Sequence, residues 1–75
     1  MRDKIKQIMS AIFDVPVDEI ADSSSPDTIE KWDSLNHLNL VSSLEEEFDV
    51  RFSDEEITEM LNFQLIILIL EQKKQ

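Results

Sequence analysis

The chain has 75 residues, no cysteine and no glycine, with 17 acidic residues against 7 basic ones for a net charge of −10. That length holds one domain, 1–75, burying only roughly 60% of the surface its unfolded chain exposes, and without cysteine any disulfide or thiolate metal site is excluded and reactive sulfur must come from outside. The acidic surplus excludes nucleic-acid binding, which rests on Lys and Arg neutralising phosphate; it repels anionic membranes and favours encounter with basic partner surfaces, although acidity also serves plain solubility.

Ile5, Ile8, Met9 and Ile12 recur at the spacing of one helical face and predict a first helix. Asp3 suits its first turn, and Pro16 keeps it from running far past Phe13. No cleavable signal is expected behind Met1-Arg2-Asp3-Lys4, and the apolar run Leu65 to Leu70 is too short to span a bilayer, so a cytoplasmic protein with no membrane span is expected.

From Asp14 to Asp33 the chain reads as a long loop, with a short turn near Val17 to Ile20 and turn formers at Ser23-Ser24-Ser25-Pro26-Asp27. Loops of this length are functional or mobile more often than idle. Val17, Ile20, Ile29 and Trp32 are its expected anchors to a core.

A second helix is predicted from Ser34 to about Phe48, with an apolar stripe of Leu35, Leu38, Val41, Leu44 and Phe48. Ser53 and Glu56 form a capping box that opens a short third helix carrying Ile57, Met60 and Leu61. Asn62 caps a fourth, with Leu61 and Ile66 as a hydrophobic staple, Phe63, Ile66, Ile67 and Leu70 as core stripe, and Lys73 and Lys74 at its C-terminal dipole. The fold class is all-α: a four-helix bundle with a long first loop and a short third helix. Leu65, Leu68 and Ile69 fall on a second face of the fourth helix, which suggests self-association or a docked partner; a cavity-lining role is the other reading.

The most informative place is Trp32-Asp33-Ser34-Leu35, where the loop meets the second helix. A helix N-terminus offers unpaired N–H groups and partial positive charge, so a hydroxyl there tolerates a phosphodiester. A serine before an apolar run is also among the commonest helix caps, and the short motif alone favours that plainer explanation.

The wider pattern adds to it. From Trp32-Asp33-Ser34-Leu35 through Leu44-Glu45-Glu46-Glu47-Phe48-Asp49 to Phe52-Ser53-Asp54-Glu55-Glu56-Ile57, the sequence resembles the acyl and peptidyl carrier protein family over essentially the whole chain. The resemblance implies a carrier, not an enzyme, whose Ser34 is esterified with 4′-phosphopantetheine from coenzyme A by a magnesium-dependent transferase, and whose arm holds cargo as a thioester. It implies that Asp33 meets basic groups of the transferase, that Leu35 fits an apolar pocket on partners, and that Glu45, Glu46 and Glu47 pair with basic patches on acyl-loading and acyl-using enzymes.

The chain departs from fatty-acid carriers, which hold acids along the first turns of this helix, in having Asn36 and Asn39. Neutral amides lose charge-assisted pairing, so a specialised, free-standing carrier is expected, with Asn36 on its recognition surface. His37, the single histidine, reads best as a simple exposed residue, and Trp32 as a loop anchor. Two rival functions stand beside the carrier: an unmodified acidic adaptor, and a hydrolase using Ser34, His37 and Asp33, which neighbours on one helical turn are poorly placed to build. The twelve residues Asp22 to Asp33 fail as a calcium loop, since Pro26 and Asp27 stand where a ligand and a glycine are required.

Overall fold

The computed structural model describes residues 1–74. Among them run four α-helices, α1 (Arg2–Phe13), α2 (Ser34–Phe48), α3 (Asp54–Glu59) and α4 (Phe63–Lys73), with a 3-10 turn at Val17–Glu19 inside the first connection. The all-helical bundle with a long first loop and short third helix is therefore the observed architecture.

Both α1 and α2 end without glycine. Asp14 and Asp49 take up the left-handed conformation at the two C-caps, with φ of 56° and 54°. Aspartate tolerates this region better than most residues because its short polar side chain bonds locally.

The core is shared by α1, α2, α4 and the loop, with half-buried Ile57 of α3 packed against its edge. Ile5, Met9 and Phe13 of α1 meet Leu40, Val41 and Leu44 of α2 and Phe63, Ile66, Ile67 and Leu70 of α4. On α1 the buried face is centred on Ile5, Met9 and Phe13, while Ile8 and Ile12 flank it, half-buried.

The expected α2 stripe is corrected. Leu35 and Leu38 stand 70% and 55% exposed, and Leu40, absent from that stripe, is fully buried. Steps of three residues drift around a helix by about 60° each. Counted from His37, Val41, Leu44 and Phe48 lie within about 40° of one direction, Leu38 about 100° away and Leu35 about 160° away.

The long loop is pinned at Ile20, Ile29 and Trp32, whose indole stacks on Phe13 with centroids 5.0 Å apart. Val17 is exposed and does not anchor it. The loop also finishes α4. Phe63 N–H donates to the Ser24 carbonyl (3.0 Å), Gln64 N–H to the Asp22 carbonyl (3.2 Å), Leu65 N–H to Asn62 Oδ1 (2.8 Å) and Ile66 N–H to the Asn62 carbonyl (3.1 Å). The first three helical N–H groups, which a helix start leaves without an intrahelical partner, are thus met, and that of Ile66 makes the first bond within the helix. Asn62 is the cap the sequence implies, but Leu61 stays 60% exposed beside a buried Ile66, so the staple does not form.

Helix α3 is held differently. None of its six residues is fully buried; Met60, its buried anchor, sits at the C-cap, and Leu61 lies outside the helix. The capping box is complete: Glu56 N–H donates to Ser53 Oγ (3.1 Å) and Ser53 N–H to Glu56 Oε1 (2.8 Å). Lys73 of α4 pairs with the same carboxylate at 2.9 Å, and Lys74 Nζ donates to the Phe48 carbonyl at 3.0 Å, so both lysines tie α4 to neighbouring segments. The Ser53 N–H and then the Lys73 ammonium favour the charged Glu56, holding its carboxyl below the ordinary 4.5.

A depressed folded-state pKa adds stability that is present above the unfolded value and lost as pH falls through the folded one. The stability gap between wild type and Glu56→Gln should therefore be constant above about pH 6 and shrink on acidification below the ordinary glutamate range. Urea denaturation of both proteins across that range measures it; a gap independent of pH would contradict the assignment.

Candidate functional site

The site is built where the loop feeds α2. Asp33, in extended backbone, is the N-cap: its Oδ1 accepts the N–H of Asn36 at 2.8 Å. Ser34 is the first helical residue and is exposed. The helix cap is supplied by its neighbour, and among the described residues the Ser34 hydroxyl has no hydrogen-bond partner. Within the same set the N–H groups of Ser34 and Leu35 meet no acceptor, as expected for the first turn of a helix. A free hydroxyl thus stands beside two open donors at the positive end of a fifteen-residue helix.

The loop end is fastened from several sides. Asn36 Nδ2 donates to the Lys31 carbonyl (2.8 Å), and its Oδ1 accepts Asn39 Nδ2 (3.1 Å). Asn36 is half-buried and works as a structural tie. Its amide donates to a carbonyl, which an aspartate could not do.

His37 overturns the expectation of a simple exposed residue. It is half-buried, with Nδ1 2.9 Å from Trp32 Nε1 and Nε2 2.9 Å from the Ile57 carbonyl. Both ring nitrogens are engaged away from Ser34, so the Ser34–His37–Asp33 hydrolase arrangement does not form.

Beside Ser34 lies an open groove of about 580 Å³ between the start of α2 and the end of α3, with Trp32, His37, Leu38, Met60 and Leu61 among its lining. Exposed Leu35, Leu38 and Leu61 give the surface around the serine an apolar character.

The three glutamates divide. Glu46 and Glu47 are exposed, but Glu45 is only 18% so: its Oε2 accepts Phe52 N–H at 2.9 Å and its Oε1 pairs with Arg51 at 3.7 Å. Glu45 therefore organises the α2–α3 connection. On α4, Ile69 packs against the core, Leu65 is half-buried and Leu68 alone is largely exposed, so the second apolar face is smaller than the sequence suggests.

A helical bundle offering an unbonded hydroxyl at a helix start, a groove beside it and no thiol of its own has the make-up of a carrier for a covalent arm. Residues 3–65 match the family model described as the phosphopantetheine attachment site, and the chain belongs to that family. Over 59 residues it is 41% identical to an acyl carrier protein of Buchnera aphidicola subsp. Schizaphis graminum, covering 79% of this chain and 73% of that relative. The chain is an acyl carrier type of protein, a bearer of covalent 4′-phosphopantetheine and not an enzyme; phosphopantetheinyl transferases and biosynthetic enzymes are the partners of such domains. No helix among the described residues is long and apolar enough to cross a membrane.

Asp33→Ala should lower stability by about 1 kcal/mol through loss of the cap, a fall of about 4–8 °C in Tm for a domain of this size. Ser34→Ala should move stability by less than about 0.5 kcal/mol, since its hydroxyl has no partner among the described residues. Thermal denaturation of the two variants separates them; equal losses would make Ser34 part of the cap.

Proposed function

We propose that Ser34 bears the phosphopantetheine arm and that the 75 residues act as one carrier unit, loading cargo and offering it to successive enzymes. The observation that carries this reading is the division of labour at the helix start: Asp33 caps α2, so the Ser34 hydroxyl is left exposed and unbonded. In the attachment step the Ser34 oxygen forms a new P–O bond at the pantetheine-bearing phosphate of coenzyme A. The bond to the neighbouring phosphate breaks, adenosine 3′,5′-bisphosphate leaves, and the hydroxyl proton passes to a base on the magnesium-bearing transferase. The arm supplies the thiol this chain lacks, and with it a thioester.

The fit of this chain to the arm rests on its own groups. The open N–H groups of Ser34 and Leu35 and the α2 dipole suit a phosphate ester on the neighbouring oxygen, and the groove gives the arm an apolar surface to lie against. Asp33 remains exposed for a basic transferase surface, Leu35 for an apolar pocket, and Glu46 and Glu47 for basic patches on acyl-loading and acyl-using enzymes. Asn36 and Asn39 in place of acids support dedication to a specialised pathway, with an acyl or aminoacyl cargo, over general fatty-acid synthesis. A cytoplasmic place of work, expected from the sequence, is part of the same reading.

Incubation with a promiscuous phosphopantetheinyl transferase, magnesium and coenzyme A should raise the intact mass by one phosphopantetheine, with the modified peptide mapping to Ser34. Ser34→Ala should stay folded and gain nothing. No gain in the wild type would favour the unmodified adaptor instead. Efficient support of fatty-acid elongation by the modified protein would count against the specialised pathway.

A further inference from the structure

We infer that His37 is the positioning residue of the attachment site: a strut that fixes the loop end bearing Ser34 against the end of α3 and so sets the width of the groove beside the serine. This rests on the reading of Ser34 as the modified residue and extends it to a residue that neither touches the arm's anchor nor bears charge for a partner.

The geometry fixes the direction of both bonds. An indole nitrogen only donates, so His37 Nδ1 is the acceptor of the 2.9 Å contact with Trp32. The ring proton then belongs on Nε2, which donates to the Ile57 carbonyl at 2.9 Å. The Trp32 and His37 rings lie within 19° of parallel with centroids 6.2 Å apart, and the indole N–H reaches the imidazole Nδ1.

Each end of this relay reaches something the site needs. Trp32 is buried against Phe13 and stands two residues before Ser34, so holding the indole holds the backbone that enters α2. Ile57 lies in the last turns of α3, where carbonyls lack intrahelical partners, and His37 meets that orphan from another helix. Its carbonyl otherwise receives only a long 3.3 Å bond from Met60 N–H. With no fully buried residue in its span, α3 depends on such ties at the groove, and the pairing of Glu56 with Lys73 holds the face toward α4. His37 is also the residue that shares the inward direction of Val41, Leu44 and Phe48, so the first turn of α2 presents imidazole where a leucine would otherwise pack.

The test uses the full chain as wild type, His37→Ala and His37→Gln, the last retaining a donor for Ile57. In the wild type, imidazole nitrogen NMR should give the Nε2–H tautomer. In His37→Ala, amide hydrogen exchange at Ile57 to Met60 should accelerate by at least about fivefold, the change a lost net hydrogen bond makes in an opening equilibrium, while α1 is unmoved. His37→Gln should recover part of the protection. In the transferase assay the Ala variant should raise KM for the carrier with kcat little changed, because the partner must reorder the loop it docks on. An Nδ1–H tautomer, unchanged exchange at α3, or equal acceleration in every helix would overturn the strut. Failure of the wild type to accept the arm would overturn the reading of Ser34 instead, leaving the tautomer and exchange results to judge His37 on their own.

Discussion

The bond from Asn36 N–H to Asp33 Oδ1 decides what the start of α2 can do. A helix start demands an acceptor for its orphan donors, and a serine at the boundary is as apt to answer that demand as an aspartate. Because Asp33 answers it, Ser34 moves one place into the helix and its hydroxyl is released from structural work. A residue that both capped the helix and carried a substituent would lose one role on gaining the other. Dividing the two between neighbours would let a modified serine leave α2 its cap.

The same economy runs through the polar contacts around the site. Asn36 fastens Lys31, His37 joins Trp32 to Ile57, and Glu45 holds Phe52 and Arg51. These side chains lie on the helix that would face a partner, yet each is turned to the chain itself. What is left outward is an apolar group around Ser34, of Leu35, Leu38 and Leu61, together with the carboxylate of Asp33, and Glu46 and Glu47 toward the far end of α2. The exposed face thus changes character along its length, from apolar side chains beside a single acid, Asp33, at the serine to the paired acids Glu46 and Glu47 a few turns away.

Much of this fold was legible in the sequence because capping chemistry is local. Ser53 with Glu56, Asn62, and the Phe63–Ile66–Ile67–Leu70 stripe each declared a helix from a handful of neighbouring residues, and each stands as read. The errors on α2 share one physical origin. Leu35 and Leu38 were grouped with Val41 by steps of three, but such steps rotate around the helix, and counting back from Val41, Leu44 and Phe48 leads to His37. That count was available in the sequence and would have shown the histidine facing inward. Which partners it meets was not available, since the Ile57 carbonyl is twenty positions away and backbone acceptors leave no mark on residue identity. The pinning of α4 by carbonyls of Asp22 and Ser24 was illegible for the same reason.

A chain this short has little core to distribute, and the distribution explains where it can give way. Helices α1, α2 and α4 each contribute three or four buried side chains, whereas α3 contributes none, placing only half-buried Ile57 against the core and resting on Met60 beyond its end. Burial is non-directional and opposes any separation of the surfaces it joins, while a hydrogen bond holds one distance and, once broken, is readily replaced by water. The wall of the groove nearest Ser34 is therefore the part of the bundle whose position is set by directed polar ties more than by packing. If Ser34 bears the arm as proposed, an element fixed by a few exchangeable bonds beside it would let the groove adjust to the cargo without the three-helix core being disturbed.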